Sequence, residues 1–592
     1  MPQQTGEVLC REFPEIVAST LARADEAMRG MLTLPGTGGK PAFIGNPVDW
    51  ATPRYNDPEY TWSVNRMGHW LAMLQAWALT GDDRYPARVT AEMDHWIATQ
   101  PCPADVPADP TAARAAFHQQ SPWRLLEVGI RMYRSWWQVH RFLSGTRWLA
   151  GERYDRFADA VAQHAHVLSV YAPLIWPKYN HNHLMMEMLG LLYAALMLPD
   201  HPHSPAWRQQ ATDALVRCCE NQFTEGGGQI EGCPHYHIVC LDVIARAVGG
   251  LRQQGLPVPD RLLGHMRDGV QYMLHATRPT GDIVPWGDSD PHSAMDAAVL
   301  AMWATGEPQA LQILRQLTSS AEVRRAIGQM AWDIGDIDAM LAAAEQPPDR
   351  LPPTAAWLRG LDQASARTGW CRDAAMVFVA CRSPVNNGHA HMDPAGFDFT
   401  AFGKPLLVDP GRFTYRRDID RYRYKSAMSH NCLTIDFREP WTYVSTWEYA
   451  DQRQGVVRSV RQEGDRVTIV CEHENYHPTV HRRTIELHRE ARLMVTDELI
   501  PPPAGSAVQR FFHFNSTTVS WEPQQRVIRT ADGDVNVAVV LNGDCEVTLL
   551  PGCISTAVDV AYPSTVACVQ SGPFASETVK ILAWRGRQTP GA

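Results

Sequence analysis

The stretch "GHAHMDPAGFDFTAFGKPLLVDPGRFTY", residues 388–415, lies where the chain changes from helical to strand-like patterning. Its central part, "GFDFTAFGKPLLVD", contains two short apolar segments separated by turn residues, which is typical of neighbouring strands. Segments such as "AMVFVACRS", "NCLTIDF" and "VNVAVVLNG" indicate further short strands from about residue 370 onward. This half of the chain therefore predicts an antiparallel β domain, and a sandwich is the simplest arrangement of so many strands.

Upstream of this stretch, apolar residues recur at helical spacing up to about residue 345. "WSVNRMGHWLAMLQAWALTG" ends on Gly81, and "SPWRLLEVGIRMYRSWWQVHRFLSG" ends on Gly145, both suited to helix C-termini. Helices of this length joined by short turns predict stacked antiparallel hairpins, without the fixed period of a solenoid. The Pro-rich segment "AAAEQPPDRLPPTAAWLRG" is the predicted linker, which divides the chain into a helical domain, residues 1–350, and a β domain, residues 351–592.

Length, charge and cysteine content limit the classes of function. A chain of 592 residues exceeds one ordinary domain, and its net charge of −10 argues against general nucleic-acid binding. No apolar run of about 18 residues is present, so no membrane span is predicted. The start, "MPQQTGEVLCREFPEIV", has no export-signal pattern, which predicts a cytoplasmic protein, or a periplasmic or secreted one whose signal was removed. The 13 cysteines predict neither a disulfide framework nor a cysteine-based zinc site, and the oligomeric state stays open.

Metal-type ligands lie near the ends of the predicted strands. His391 precedes a strand, Asp409 ends one and His430, in "SAMSHNCLTID", begins another. If these strands are neighbours, the three side chains converge, and two histidines with one carboxylate suit zinc or a similar divalent ion. The alternative is that these side chains, with the adjacent His389 and Asp393, only satisfy backbone groups at strand ends.

The helical half contains a second group of candidates in "YNHNHLMMEM". His183 and Glu187 are four residues apart, so they share one helix face. Asn182 lies near the helix start, where free N–H groups favour anions. The pair predicts either an oriented catalytic imidazole or a buried polar contact between two helices.

A third candidate stretch is "FTEGGGQIEGCPHYHIVC". Its glycines predict a loop that approaches a ligand closely, followed by Glu231 and Tyr236. A tyrosine here can transfer a proton if neighbouring positive groups lower its pKa from about 10. By contrast, "HENYH" matches the zinc-protease pattern but lies in a predicted strand ahead of Pro478, so a protease is not predicted.

Taken in order, these stretches resemble the heparinase II/III-like polysaccharide lyases, including those of broad glycosaminoglycan and alginate specificity. The match rests on the opening stretch with its "LLVDPG" turn, on "SAMSHN", "NHLMME" and "EGCPHYH", and on "FIGNPVDW" and "LLEVGIR" near the N-terminus. The resemblance implies an α+β multidomain fold, in which an incomplete (α/α) toroid precedes an antiparallel β-sandwich. The active site would then lie between the two.

The resemblance also implies an activity, namely cleavage of a uronate-containing polysaccharide by β-elimination. The implied partner is an anionic chain such as heparan sulfate, hyaluronan, chondroitin sulfate or alginate. His391, Asp409 and His430 match the metal ligands of the family. The implied ion is mainly structural and usually Zn²⁺, with Mn²⁺ or Ca²⁺ as alternatives.

The same resemblance assigns roles within the site. Asn182, helped by His183 or His389, would neutralise the uronate carboxylate. Tyr236 would be the general acid, and also the base when proton and leaving group share a face, while His183 would be the base otherwise. The remaining candidates, which would orient these groups or bind the anionic chain, are Glu187, Glu231, Arg131, Tyr415, Arg421 and Tyr422.

Two rival functions remain on the sequence alone. One is a non-catalytic protein that binds acidic polysaccharides on the same scaffold. The other is a glycoside hydrolase, which needs two carboxylates flanking the bond, and Glu231 with Asp288 is the pair the sequence offers.

Overall fold

The computed structural model describes residues 2–55, 57–381 and 387–586. Its N-terminal part is helical, as predicted. The helices are α1 (Pro2–Glu12), α2 (Pro14–Met28), α3 (Pro58–Arg66), α4 (His69–Thr80), α5 (Arg84–Thr99), α6 (Pro110–Ala116), α7 (Leu125–Arg131), α8 (Trp137–Leu143), α9 (Glu152–Ile175), α10 (Asn182–Met197), α11 (Ser204–Gln222), α12 (Pro234–Gln253), α13 (Asp260–His275), α14 (Met295–Thr305), α15 (Gln309–Leu317), α16 (Ser320–Ile334), α17 (Ile337–Glu345) and, in the β region, α18 (Ile419–Lys425).

The first long helical pattern of the sequence corresponds to two helices rather than one. Met67 adopts a left-handed backbone conformation (φ 55°) and separates α3 from α4, whereas Gly81 ends α4 as predicted (φ 72°). The second pattern is one helical run, because a π-helical turn over Met132–Trp136 joins α7 to α8. Packed side by side, these helices form the hairpins of the predicted (α/α) toroid.

Helix α10 lies at the centre of this array, in contact with α7, α9, α11 and α12. Two glycines allow its close crossing with α7. A Cβ atom on Gly190 would lie 2.5 Å from the Cα of Gly129, which only glycine avoids. This crossing fixes the position of α10, whose N-terminus carries Asn182 and His183.

Strands dominate the chain from residue 355 onward, as predicted. The strands are β1 (Met31–Thr33) and β2 (Pro41–Phe43) in the helical part, then β3 (Ala355–Leu358), β4 (Gln363–Arg367), β5 (Met376–Ala380), β6 (Gly396–Ala401), β7 (Lys404–Leu407), β8 (Leu433–Ile435), β9 (Thr442–Ser445), β10 (Glu448–Ala450), β11 (Gly455–Glu463), β12 (Arg466–Tyr476), β13 (Thr479–His488), β14 (Arg492–Ile500), β15 (Val508–Phe514), β16 (Val519–Glu522), β17 (Val527–Thr530), β18 (Val535–Val540), β19 (Cys545–Ala557), β20 (Val560–Ser571) and β21 (Ser576–Arg585).

Two antiparallel sheets form the sandwich. The inner sheet has the order β19-β20-β15-β7-β6-β5-β4-β3, with β8 paired to β15, and the outer sheet has the order β11-β12-β13-β14-β21-β18-β17-β16. Their shared apolar core includes Val377 and Phe399 of the inner sheet and Ile469 and Ile485 of the outer one. Strands such as β12 alternate buried and less buried residues, because one face meets the core and the other does not.

The inner sheet is buried on its second face as well, where it meets the helical part. Trp286, from the segment between α13 and α14, packs with Phe378 of β5 at a centroid distance of 6.0 Å. This contact explains why β4, β5 and β6 are buried along their whole length. It also brings the loops at the ends of these strands next to the helix N-termini that carry the predicted site.

Three further sequence predictions bear on the fold. The "HENYH" segment begins within strand β12, so its histidines do not share a helix face, as expected. Among the described residues, no helix is both long and apolar enough to cross a membrane. The division of the chain at residue 350 stays a prediction; α17 ends at Glu345 and β3 begins at Ala355.

Candidate active site

The N-terminus of α10 supplies the first part of the site. Asn182 is the first residue of the helix, and the His181 side chain caps it by accepting the His183 N–H at 3.2 Å. The Asn182 side chain is buried, and its Nδ2 donates to Glu231 Oε2 at 3.3 Å. Its Oδ1 has no hydrogen-bond partner among the described residues. A buried amide with one unused polar atom is suited to bind a ligand.

His183 and Glu187 lie on one face of α10, as predicted, because both contact Trp176. The His183 imidazole lies edge-on to the indole, with ring centroids 5.5 Å apart, and Trp176 Nε1 donates to Glu187 Oε1 at 3.4 Å. Burial, together with the nearby His181 and Arg124, holds the pKa of His183 well below its usual value, so the imidazole is neutral near pH 7. Burial raises the pKa of Glu187 to about 8, so this carboxyl is mainly protonated there.

The three glycines of the glycine-rich loop lie against other parts of the protein, which accounts for them without a ligand. A Cβ atom on Gly226 would lie 2.5 Å from the Arg359 backbone nitrogen, and one on Gly227 would lie 2.2 Å from the Asp268 carbonyl oxygen. The glycines therefore let the loop pack against protein backbone. The loop still serves the site indirectly, because it leads to Glu231, whose buried side chain lies beside Asn182.

Tyr236, near the start of α12, lies against two residues of the β region. Its ring stacks on His389 with centroids 3.8 Å apart, and its hydroxyl lies 3.0 Å from that of Tyr415. Arg412 Nη1 donates to the Tyr415 hydroxyl at 2.5 Å. The two halves of the chain thus meet at this tyrosine pair.

The expected lowering of the Tyr236 pKa is wrong. Burial and the neighbouring Tyr415, whose hydroxyl is hydrogen-bonded to that of Tyr236, raise the pKa of Tyr236 well above 10, and the opposing charge of Arg412 does not offset this. The phenol is therefore protonated at neutral pH, which is the state of a proton donor.

Asp288 connects the catalytic candidates with the metal candidates. Its Oδ2 accepts from His389 Nδ1 at 2.8 Å, and its Oδ1 lies 3.0 Å from His391 Nε2. Arg421 binds both oxygens, at 2.6 Å and 2.7 Å. Although burial alone would raise the pKa of Asp288, the charges of Arg421 and Lys425 and the two histidine hydrogen bonds hold it well below its usual range. This carboxylate is therefore ionised, and both of its oxygens are hydrogen-bonded to protein groups.

The three predicted metal ligands converge. One ligand atom each from His391, Asp409 and His430 can be chosen such that all lie within 4.8 Å of one another, and all three residues are buried. His430 Nδ1 lies 2.8 Å from Asp409 Oδ2. Because His391 Nε2 faces Asp288, the other ring nitrogen, Nδ1, is left without a partner among the described residues. This buried group has the composition and spacing to hold a metal ion.

Two further predicted residues, Glu231 and Arg421, belong to the site. Glu231 Oε2 is 3.7 Å from His389 Nε2, so a continuous series of contacts runs from Asn182 through Glu231 and His389 to Tyr236. Arg421 belongs to the site but is fully buried, with its terminal nitrogens occupied by Asp288.

Two predicted substrate-binding residues are not brought into the site. Arg131 lies in the helical core, where its Nε donates to His164 Nε2 at 2.8 Å and its guanidinium packs on Trp96. Tyr422 donates to Glu439 Oε1 at 3.3 Å and packs against Tyr443, in an apolar cluster that includes Ala390 and Met392. The sequence alone does not distinguish these two side chains from those that lie in the candidate active site.

Sequence reasoning also missed several residues of the site. On the sequence alone Asp288 is only half of a possible hydrolase pair, and no motif indicates Arg412, Trp176 or Trp447. Arg412 follows Asp409 in "LLVDPGRFTY", so its place beside a candidate ligand was the available signal. Trp447 belongs to the β9–β10 hairpin, and no sequence signal connects it with His389.

Comparison with known proteins gives two family matches. The model for the heparinase II/III N-terminus matches residues 12–312, and that for the heparinase II/III-like C-terminal region matches residues 361–580. A heparin-sulfate lyase of Bacteroides stercoris is 23% identical over 503 residues, which are 82% of this chain and 68% of the relative. A heparin-sulfate lyase of Pedobacter heparinus is 24% identical over 402 residues, which are 66% of this chain and 54% of the relative.

Solved structures support the same fold. The crystal structure of heparinase III superposes with a TM-score of 0.75 at 17% identity, covering 96% of this chain and 85% of that chain. The heparan sulfate lyase from Pedobacter heparinus gives a TM-score of 0.67 at 19% identity, with 97% and 84% covered. The toroid and sandwich predicted from the sequence are therefore confirmed.

Proposed function

Because the chain belongs to the heparinase II/III family, we propose that it is a polysaccharide lyase that cleaves a uronate-containing glycosaminoglycan by β-elimination. Since the relatives reported above are named heparin-sulfate lyases, heparan sulfate is the first candidate substrate. The observation that carries the proposal is the contact series Asn182–Glu231–His389–Tyr236, which joins an amide, an imidazole and a protonated phenol in one place.

The first chemical task is to make the C5 proton of a uronate removable. The adjacent carboxylate must be hydrogen-bonded so that the enolate-like intermediate is stabilised. Asn182 is suited to this task because it is buried at a helix N-terminus and lies beside Glu231. Burial raises the pKa of Glu231, which favours its protonated form. Since Asn182 Nδ2 carries two N–H groups and donates one of them to Glu231, the second N–H can donate to the uronate carboxylate.

The second task is proton transfer. Tyr236 has a raised pKa and is therefore assigned as the general acid that protonates the departing O4 oxygen. His183 is neutral near pH 7 and is assigned as the base when the C5 proton lies on the opposite face of the sugar. When both lie on one face, Tyr236 would start as the phenolate, the form that the charge of Arg412 favours, take the C5 proton and pass it to the departing O4 oxygen.

His389 is assigned to the substrate side of the site, together with its two carboxylate neighbours. Asp288 accepts a hydrogen bond from His389 Nδ1 and so orients the imidazole. His389 Nε2 faces Glu231 and the region where a uronate would bind. Tyr415 and Arg412 support Tyr236 from the other side through the hydroxyl pair.

A divalent ion fits the group formed by His391, Asp409 and His430. The unused Nδ1 of His391 and the two-imidazole, one-carboxylate donor set favour Zn²⁺, with Mn²⁺ or Ca²⁺ as alternatives. When bound, the ion would be mainly structural, tying the loop of His391 to the ends of the neighbouring strands.

The rival functions fit the site less well. A hydrolase needs two carboxyl groups free to flank the bond, but Asp288 is fully buried and bound by Arg421 and two histidines. A protein that only binds polysaccharide has no need for a protonated phenol stacked on an imidazole, as Tyr236 is on His389. Alginate, hyaluronan and chondroitin sulfate remain substrates to compare with heparan sulfate.

The experiment is ultraviolet absorbance of the purified protein with each of these polymers and with heparin. Elimination creates a C4–C5 double bond conjugated to the carboxylate, which absorbs strongly. An increase with heparan sulfate is expected. Absence of any increase across the panel, with the protein folded, would contradict the proposal.

A further inference from the structure

Strands β9 and β10 form a hairpin whose tip places an indole beside the candidate active site. Trp447 lies between the two strands and is 42% exposed. Its ring centroid lies 5.2 Å from that of His389, nearly perpendicular, and 5.4 Å from that of Tyr415, tilted by 30°. One side of the indole therefore contacts the site, while a large part of it faces solvent.

The indole is backed by positive charge. The Arg421 guanidinium lies 5.5 Å from the Trp447 ring centroid, and the Lys425 ammonium lies 5.9 Å from it. Both basic side chains are fully buried, so they support the ring from the protein side. Because Asp288 neutralises Arg421, the charge that favours an acidic ligand on the outer side is that of Lys425.

The hairpin is anchored on the loop that carries the two histidines. Tyr449 donates to the Ala390 carbonyl oxygen at 2.5 Å, between His389 and His391 in sequence. Trp441, just before β9, donates through Nε1 to Asn475 at 3.1 Å. These contacts hold the indole in place before any ligand binds, which reduces the entropy lost on binding.

We propose that Trp447 is a stacking platform for the pyranose ring next to the uronate at the cleavage point. This inference rests on the proposed function and extends it to a residue that determines substrate affinity. The C–H face of a pyranose is apolar, and an exposed indole offers a flat apolar surface of matching size. The Lys425 ammonium near the ring favours the acidic groups that such chains carry.

A purely structural role for Trp447 predicts a different arrangement. A tryptophan that serves packing is highly buried, as Trp96 and Trp136 are in this protein. Trp447 is instead 42% exposed to solvent, and it lies beside residues that would bind the substrate or transfer protons. Its neighbour Val444, on the same hairpin and 52% exposed, has no ring or polar group for a sugar and provides a matched control.

Binding is to be measured separately from cleavage. In a Tyr236→Phe background, which is expected to bind without turnover, calorimetry with heparan sulfate oligosaccharides compares Trp447→Ala, Trp447→Phe and Val444→Ala. Loss of the platform is expected to weaken binding about 10-fold in Trp447→Ala. Trp447→Phe is expected to lose less, and Val444→Ala to stay within about twofold. In the otherwise wild-type enzyme, Trp447→Ala should raise KM more than it lowers kcat.

The outcomes separate this proposal from the proposed reaction. Unchanged affinity in Trp447→Ala, while the wild-type protein cleaves the polymer, would overturn the platform and leave the lyase assignment intact. Binding that depends on Trp447 without any cleavage by the wild-type protein would overturn the reaction and support the platform. A protein that neither binds nor cleaves any of the acidic polymers would overturn both.

Discussion

His389 Nδ1 lies 2.8 Å from Asp288 Oδ2, although the two residues are 101 positions apart in the chain. The same carboxylate contacts His391, so one buried anion orients both a candidate catalytic imidazole and a candidate metal ligand. Arg421 neutralises this anion with two hydrogen bonds. The geometry of the catalytic group and that of the metal group are therefore coupled through Asp288.

Substitution of Asp288 by Asn is expected to destabilise the protein strongly. The change leaves the fully buried Arg421 without a charge partner, which typically costs about 3–5 kcal/mol. Urea unfolding of Asp288→Asn measures the loss. Asp373→Asn, which breaks the exposed pair with Arg585, is the control and should change stability by less than about 1 kcal/mol. Equal stability of the two variants would contradict the assignment of Asp288 as an anchor.

Substitution of Tyr236 by Phe is expected to reduce turnover by about 10²–10⁴-fold, because it removes the proposed proton donor while keeping the stacked ring. Absorbance of the unsaturated product measures turnover, and circular dichroism checks folding. The control is Tyr415→Phe, which keeps the Tyr236 hydroxyl and should lose less activity. Near-normal rates for Tyr236→Phe would remove this residue from the mechanism.

Substitution of His391 by Ala is expected to abolish metal binding and to lower the midpoint of thermal unfolding. His391 provides one of three buried donors, and a chelator should affect the wild-type protein in the same direction. Elemental analysis of the purified proteins measures the metal per chain. His389→Ala changes a histidine of the same loop outside the donor group and should retain the ion. Unchanged metal content in His391→Ala would show that the ion binds elsewhere.

Glu187 predicts a specific dependence of stability on pH. Its folded pKa is about 8 against 4.5 ordinarily, so between these values the folded protein keeps a proton that the unfolded chain has lost. Its contribution to stability therefore falls as pH rises through this window, by at most about 1.4 kcal/mol per pH unit.

The variant Glu187→Gln cannot ionise and is expected to be more stable than the wild-type protein, with a difference that grows from about pH 5 to about pH 8. Urea unfolding at several pH values measures this difference. Glu152→Gln, whose side chain is 97% exposed, is the control and should follow the wild-type curve. Parallel curves for Glu187→Gln and wild type would contradict the raised pKa.

The large-scale fold could be predicted because the periodicity changes from helical to strand-like along the chain. The metal candidates could also be predicted, since His391, Asp409 and His430 lie near the ends of strands β6, β7 and β8, which belong to one sheet. These features depend on local patterns and on the way strands pair.

What the sequence did not predict depends on burial and on long-range contacts. Arg131 resembles a ligand-binding arginine in sequence, but the structure encloses it among tryptophans of the helical core. The glycines at 226–228 read as a ligand loop but pack against backbone and side chains of other elements. The pKa of Tyr236 rises because two distant segments bury it together with Tyr415, and no local pattern carries that information.

The chemical structure of the reaction product distinguishes elimination from hydrolysis. Heparan sulfate, or whichever acidic polymer the protein cleaves, is digested, and the fragments are analysed by mass spectrometry and ultraviolet absorbance. One unsaturated uronate is expected for every new reducing end, without addition of water. New reducing ends that carry an added water and no conjugated double bond would identify a hydrolase and contradict the proposed elimination.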